Sequence, residues 1–215
     1  MPALLLDLVL DGRVFTMDAL PTQRETAQRI VEQQGDYVMM VKENQPSLHA
    51  DIALVFTGQD APLFIEDRAA LIGKAHGCIE VRTLQTSSAL NDYLDWPGVQ
   101  QVFRLDRKTT RLKTGSVRSE TVYGLTSLSA DRADAATLLQ LTRGHWTIEN
   151  RSHWGRDVTL GEDGSQVRIG HLPQVLATLR NVVIGLIRLH AFRFVPQALD
   201  DFASHPLEAL AAIGC

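Results

Sequence analysis

The chain has 215 residues, a formal net charge of −4, and hydrophobic and charged shares of 45% and 21%. That length suits one large domain, or one domain carrying an insertion, and the composition excludes a largely disordered or fibrous chain. The mild acidity excludes a uniformly basic nucleic-acid binder, so any basic surface is local.

Cys78 and Cys215 are the two cysteines, too few for a four-thiolate zinc site or a disulfide framework, which fits a reducing compartment. The first ten residues have no basic start and no small-residue cleavage site, so no secretory signal is expected. Val14-Phe15-Thr16-Met17 is a β-prone run ending at Asp18. Pro21-Thr22 opens a helix, with Thr22 and Glu25 at capping-box spacing, Ala27, Ile30 and Val31 as its buried stripe, and Gly35 as its stop. Tyr37 to Val41 is nearly all apolar, the pattern of a strand covered on both faces. Two strands joined by a helix pair in parallel. Pro46 suits the first turn of a further helix carrying Leu48, Ile52 and Val55 on one side.

The middle of the chain changes character. Cys78 to Leu84, Val99 to Asp106 and Ser119 to Leu128 are strand-like, Trp96-Pro97-Gly98 is a turn, and no helical pattern separates them. We read a β-rich insertion over about residues 77–128, an antiparallel sheet projecting from an α/β frame. Six bases, Arg104, Arg107, Lys108, Arg111, Lys113 and Arg118, face only Asp106 and Glu120 within residues 101–120, and are expected on one exposed face. Helical periodicity returns near Ala133 and continues through His145 toward Trp154. The apolar stretch Val175 to Phe194 is interrupted by Arg180, Asn181, Arg188 and Arg193, and reads as an amphipathic core helix rather than a membrane span. Asp200 to Ile213 reads as a weaker terminal helix.

Two places can carry chemistry. Asp18 follows a predicted parallel strand, at the edge of an open α/β sheet where ligands bind, and a carboxylate there either holds a hard cation or organises the turn. On one helix, His145, Glu149, Ser152 and Arg156 share a face, either as a site for a metal and an anion or as the solvated side of an amphipathic helix. His145, Glu149, His153 and Asp157 are spaced by four, but the stripe drifts by roughly 40° per step, and the His-Glu-x-x-His pattern of zinc proteases is absent. Neither a phosphate loop nor a Gly-x-Ser-x-Gly elbow occurs.

Several ordered segments match one family. They are Val14-Phe-Thr-Met-Asp18-Ala-Leu-Pro-Thr-Gln23, Asp36-Tyr-Val-Met-Met-Val-Lys42-Glu-Asn44-Gln45-Pro46, His76-Gly-Cys-Ile-Glu80-Val-Arg82, Asp95-Trp-Pro-Gly98 and His145-Trp-Thr-Ile-Glu149-Asn-Arg-Ser-His153-Trp154. Gly161-Glu-Asp163 through Leu179-Arg180-Asn181 also fits. Over nearly its whole length the chain resembles DDE transposases of the H-repeat-associated (ISAs-type) insertion-sequence family. The resemblance implies an α/β, ribonuclease-H-like mixed sheet with flanking helices and a β-rich insertion, spanning residues 1–215 as a partial catalytic domain.

The resemblance also implies DNA transposition with Mg2+ or Mn2+ held by carboxylates. Asp18 matches the family's second aspartate and Glu149 its glutamate. In the related Tyr-x2-Arg-x3-Glu-x6-Lys signature, His145 stands at the arginine, Arg156 at the lysine and Thr142 at the tyrosine. The family's first aspartate lies upstream, and Asp7 and Asp11 lie on the approach to the same strand as Asp18. The resemblance therefore implies an N-terminally truncated, inactive piece.

Two-metal phosphoryl transfer on DNA is the implied chemistry. Lys42, Arg107, Lys108, Arg111, Lys113, His145 and Arg156 are the expected contacts to DNA. A non-catalytic DNA-binding or dimerising remnant is the alternative. A cytoplasmic location, transposon ends and target DNA as partners, a possible homodimer and no membrane complete the expectation.

Overall fold

β1 (Val14–Met17), α1 (Arg24–Glu32) and β2 (Asp36–Val41) form the expected strand–helix–strand unit, with β1 and β2 parallel. The computed structural model describes residues 8–75, 77–148, 155–192 and 194–214. After β2 come α2 (Pro46–Thr57), a one-turn α3 (Ala61–Phe64), and four strands: β3 (Asp67–Ala75), β4 (Cys78–Ser87), β5 (Gln101–Arg111) and β6 (Val117–Thr126). The helices α4 (Ala135–Ile148), α5 (Leu172–Leu189), α6 (Val195–Ser204) and α7 (Pro206–Ala212) complete the chain, with a π-helical turn over Gly155–Thr159. The chain divides into two compact units, residues 1–143 and 144–215.

The first unit is built on one six-stranded mixed sheet in the order β1-β2-β6-β5-β4-β3. The antiparallel strands do not stand apart from the parallel pair. β6 pairs with β2, from Val38 opposite Thr126 to Val41 opposite Tyr123, so the expected insertion prolongs the same sheet. All six residues of β2 are buried, as its apolar run requires. Tyr37, Met39 and Val41 pack with Ile30, Ile52, Val55 and Phe56 on one face. Val38 and Met40 pack with Leu84, Phe103, Leu105, Leu138 and Leu139 on the other.

Local sequence signals succeed and fail for identifiable reasons. Pro46 opens α2, where its missing N–H costs nothing. The expected capping box does not form: Gln23 is the N-cap of α1, and the Thr22 hydroxyl instead donates to the Asp18 carbonyl at 3.0 Å. The left-handed residue after α1 is Gln34 (φ 59°), not Gly35. Gly35 is required for space, since a Cβ there would meet the Leu10 carbonyl at 2.8 Å. β3 carries no strand signal in its Asp-Arg-Ala-Ala-Leu-Ile-Gly-Lys-Ala run, and its pairing with β4 from Asp67–Thr86 to Ala75–Cys78 imposes the extended state. The expected terminal helix is two helices broken at His205, because Pro206 cannot continue the hydrogen-bond ladder of α6.

α5 departs from the core-helix expectation. Ile187 is buried, while Leu172, Val175, Leu179, Val182 and Leu189 are exposed. Among the described residues, α5 is one helix long and apolar enough to cross a membrane by length and composition.

The N-terminus of α4 is closed by Asp134, whose Oδ1 accepts the Thr137 N–H at 2.8 Å. Hydrogen bonds from the Thr137 side chain and backbone hold the Asp134 carboxyl below its ordinary range. A depressed folded-state pKa means that this stabilisation is complete above the ordinary carboxylate range and is lost as pH falls through the lower folded value. Asp134→Ala is therefore expected to lower the melting temperature at neutral pH. Melting curves from pH 7 to pH 3 should show the gap from the parent closing on acidification; a gap of constant size rules the cap out as its cause.

Candidate metal and DNA-binding site

β1 and β2 run in parallel, so the residues just past Met17 and Val41 emerge at the same edge of the sheet. There Lys42 Nζ lies 3.1 Å from Asp18 Oδ1 and 3.5 Å from Oδ2, with both side chains about half exposed. The two loops are tied together by Asn44, whose Nδ2 donates to the Ala19 carbonyl at 2.9 Å, and by Gln45, whose Nε2 donates to the Thr22 carbonyl at 3.3 Å. Asp18 is thus held at a fixed place although it follows a strand of only four residues.

A cavity of about 570 Å³ opens here, lined among others by Asp18, Lys42, Asn44, His49 and Glu120. His49, on α2, sits edge-on to Tyr123 of β6 with ring centroids 5.1 Å apart. Sequence reasoning missed His49 and Glu120, because only the β2–β6 pairing carries the far end of β6 to the mouth of the parallel pair. A carboxylate donor suits a hard divalent cation. Asp18 and Glu120 both line this cavity, Asp18 already paired with Lys42 and Glu120 with Arg107 at 3.5 Å.

Glu149, with Ser152, His153 and Trp154, lies outside the described residues. His145 is half-buried near the end of α4. Arg156 sits in the π-helical turn, where its Nε is ion-paired with Glu162. Asp201, His205 and Glu208 offer ligand atoms within 4.8 Å of one another at the α6–α7 junction. His205 Nδ1 already lies 3.1 Å from the Asp201 carbonyl oxygen, which accounts for the ring's position without a cation.

The six bases of residues 101–120 do not share one exposed face. Alternation along β5 and β6 divides them. Arg104 points toward α2, bonded to Asp106 and to the Phe56 carbonyl. Lys108 lies on that same side of β5. Arg107 lies on the opposite face, between Glu80 at 3.6 Å and Glu120 at 3.5 Å. Arg111 and Arg118 follow Arg107 on its face, and Lys113 is exposed in the turn between the strands.

Residues 1–172 match the family model described as Transposase DDE domain. Three curated Escherichia coli proteins align over most of the chain. YbfL of strain K12 is 27% identical over 190 residues, covering 86% of this chain and 50% of that protein. YncI of O157:H7 is 27% identical over 196 residues, covering 87% and 48%. YhhI of strain K12 is 26% identical over 190 residues, covering 86% and 50%. The names of YncI and YhhI include the word transposase, and that of YhhI adds H repeat-associated. The chain spans about half the length of these relatives. A solved structure of DesVI from Streptomyces venezuelae aligns over 58% of the chain at 12% identity and a TM-score of 0.25, too low for an argument about fold.

Proposed function

The chain belongs to the Transposase DDE domain family, and from that premise we propose that it serves DNA transposition by metal-dependent phosphoryl transfer, with Asp18 as a metal-holding carboxylate. The observation that carries this reading is the placement of Asp18 at the carboxyl edge of the parallel pair, beside Lys42 and in one cavity with Glu120. Glu149 is the second proposed metal carboxylate, on its match to the family's glutamate. The strand–helix–strand unit with antiparallel strands added at its side supports a ribonuclease-H-like reading of the sheet.

When bound, Mg2+ or Mn2+ acidifies a coordinated water or 3′-hydroxyl and offsets charge on the leaving oxygen. The protein's own part is to hold that centre and the DNA beside it. Lys42 can exchange its contact with Asp18 for a phosphate oxygen, so that one ammonium serves the empty and the loaded site in turn. Arg156 and His145 are proposed as further phosphate contacts, Arg156 in competition with Glu162.

The test is titration of the intact chain with Mn2+, followed by electron paramagnetic resonance, and incubation of the loaded chain with supercoiled plasmid. Saturable Mn2+ binding that depends on Asp18 is the expected result. Binding indifferent to Asp18 overturns the assignment. DNA binding without any Mn2+ binding moves the protein to the non-catalytic reading, which the exposed bases of the β5–β6 hairpin favour.

A further inference from the structure

We propose that the face of the sheet bearing Arg107 ends in a binding site for the phosphodiester backbone of duplex DNA, formed by Arg111 and Arg118 with the Thr109 and Ser116 hydroxyls. This deepens the transposase reading by naming which bases of the strand extension meet DNA.

On this face three adjacent strands carry a chain of ion pairs in which arginine and glutamate alternate. Arg82 of β4 lies 3.1 Å from Glu80, Glu80 lies 3.6 Å from Arg107 of β5, and Arg107 lies 3.5 Å from Glu120 of β6. Arg107 stands directly opposite Arg82 on one side and Glu120 on the other. Two arginines and two glutamates neutralise one another. The Arg82 and Arg107 side chains are only 12% and 19% exposed, so this row is framework and not a contact surface. Opposite-charge pairs across strands stabilise and order a sheet surface.

Beyond the row, toward the turn, the sign is no longer balanced. A cavity of about 470 Å³ is lined there by Arg111, Arg118, Thr109 and Ser116, with Glu80 and Glu120 at its inner end. Arg111 and Arg118 are exposed, and neither has an ion pair among the described residues. The turn is rigidly closed: the Arg111 N–H donates to the Ser116 carbonyl at 2.9 Å, and the Gly115 N–H donates to the Arg111 carbonyl at 2.8 Å with Gly115 at φ 67°. Lys113 projects from this turn and is exposed. Guanidinium forks beside hydroxyl donors bind phosphate oxygens and carry no base selectivity. The same concave surface therefore takes DNA irrespective of sequence. Arg104, paired with Asp106 on the opposite face, takes no part.

The experiment is fluorescence anisotropy of a labelled 30-base-pair duplex with the intact chain in EDTA, over a series of salt concentrations. Without metal, the result does not depend on Asp18, so failure here and failure of the metal reading are separate. Arg111→Gln with Arg118→Gln is expected to weaken binding at low salt by more than tenfold and to reduce the log–log salt slope by about 2. Lys74→Gln, an exposed base of β3 on the opposite face, is expected to leave the slope at the parent value. Circular dichroism checks that the variants remain folded, and both arginines are exposed. Equal losses in the Lys74 variant and the arginine variant would show diffuse charge attraction and overturn the site. An unchanged slope in the arginine variant, or no binding by the parent chain, overturns it too. Competition by polyglutamate as strong as that by DNA of equal charge would make the face an acidic-protein site and overturn the DNA assignment.

Discussion

Asp18→Asn is expected to remove Mn2+ binding at the edge of the parallel pair and, with it, any metal-dependent DNA cleavage. The change keeps the size of the side chain and deletes its charge, so the backbone ties from Thr22 and Asn44 survive, since both are made to main-chain carbonyls. Affinity should fall by at least about tenfold, the lower end of what outer-shell partners of a metal alone contribute. Lys42→Met makes the complementary prediction. The ammonium 3.1 Å from Asp18 competes with a divalent cation for the same carboxylate, so its loss should tighten Mn2+ by about fivefold. That factor corresponds to about 1 kcal/mol, as expected for charges about half exposed to water. The same substitution should weaken DNA binding. Tighter metal with weaker DNA is a pattern that a merely structural Asp18–Lys42 pair does not produce. Equal metal affinity in all three proteins refutes the role of Asp18.

Gly124→Ala should give the largest loss of stability of any single methyl group added to the sheet. Gly124 stands opposite Phe103 on β5 and Met40 on β2, in the middle of three paired strands. A Cβ at this position would run into the ring of Phe103, which is fully buried, and would meet the Met39 carbonyl at 2.6 Å. Neither neighbour can withdraw: the ring is packed with Leu84, Leu105 and Leu138, and the carbonyl belongs to β2, which is paired on both sides by β1 and β6. Overpacking of this kind costs about 1–3 kcal/mol, and the contact with main chain places this case at the upper end. For a chain of this size that is a fall of roughly 6–12 °C in melting temperature, measurable by calorimetry. Gly73, also in a strand, has open space around it, and Gly73→Ala should leave the melting temperature nearly unchanged. Equal effects at the two positions would show that strand propensity, not packing, sets the cost.

The residues at the two ends of β2 show how differently the core and the site are written in the sequence. Tyr37 to Val41 is apolar at every position, and such a run has only one comfortable place, the middle of a sheet covered on both sides. Burial pushes the Tyr37 hydroxyl far above its ordinary pKa, and it is kept neutral as a donor to the Pro97 carbonyl at 2.8 Å. Asp36 is buried as well, and no local pattern announces its partners. Arg132 at 2.6 Å and the Ser127 hydroxyl at 2.9 Å come from the segment after β6. The neutralisation of Arg107 is equally invisible, since a run of bases reads as an exposed basic face until the strand register sets Glu80 and Glu120 beside it.

By itself the sequence determined the parallel pair, the place of Asp18 after its first strand, the helix begun by Pro46, and the strand character of three segments in the middle. Each of these rests on short-range chemistry: periodic burial, a fixed proline φ, a run of β-prone side chains. The tertiary structure alone decided that the strand extension joins the edge of β2, that Ala-rich Asp67–Ala75 is a strand, that Glu120 and His49 share a cavity with Asp18, and which arginines remain unpaired. These depend on register between strands far apart in the chain. A shift of one residue would have turned Arg107, Arg111 and Glu120 to the opposite face. Nothing local in the sequence fixes that register; it is fixed by the simultaneous burial of Phe103, Leu105 and Leu125 against the two faces of the core.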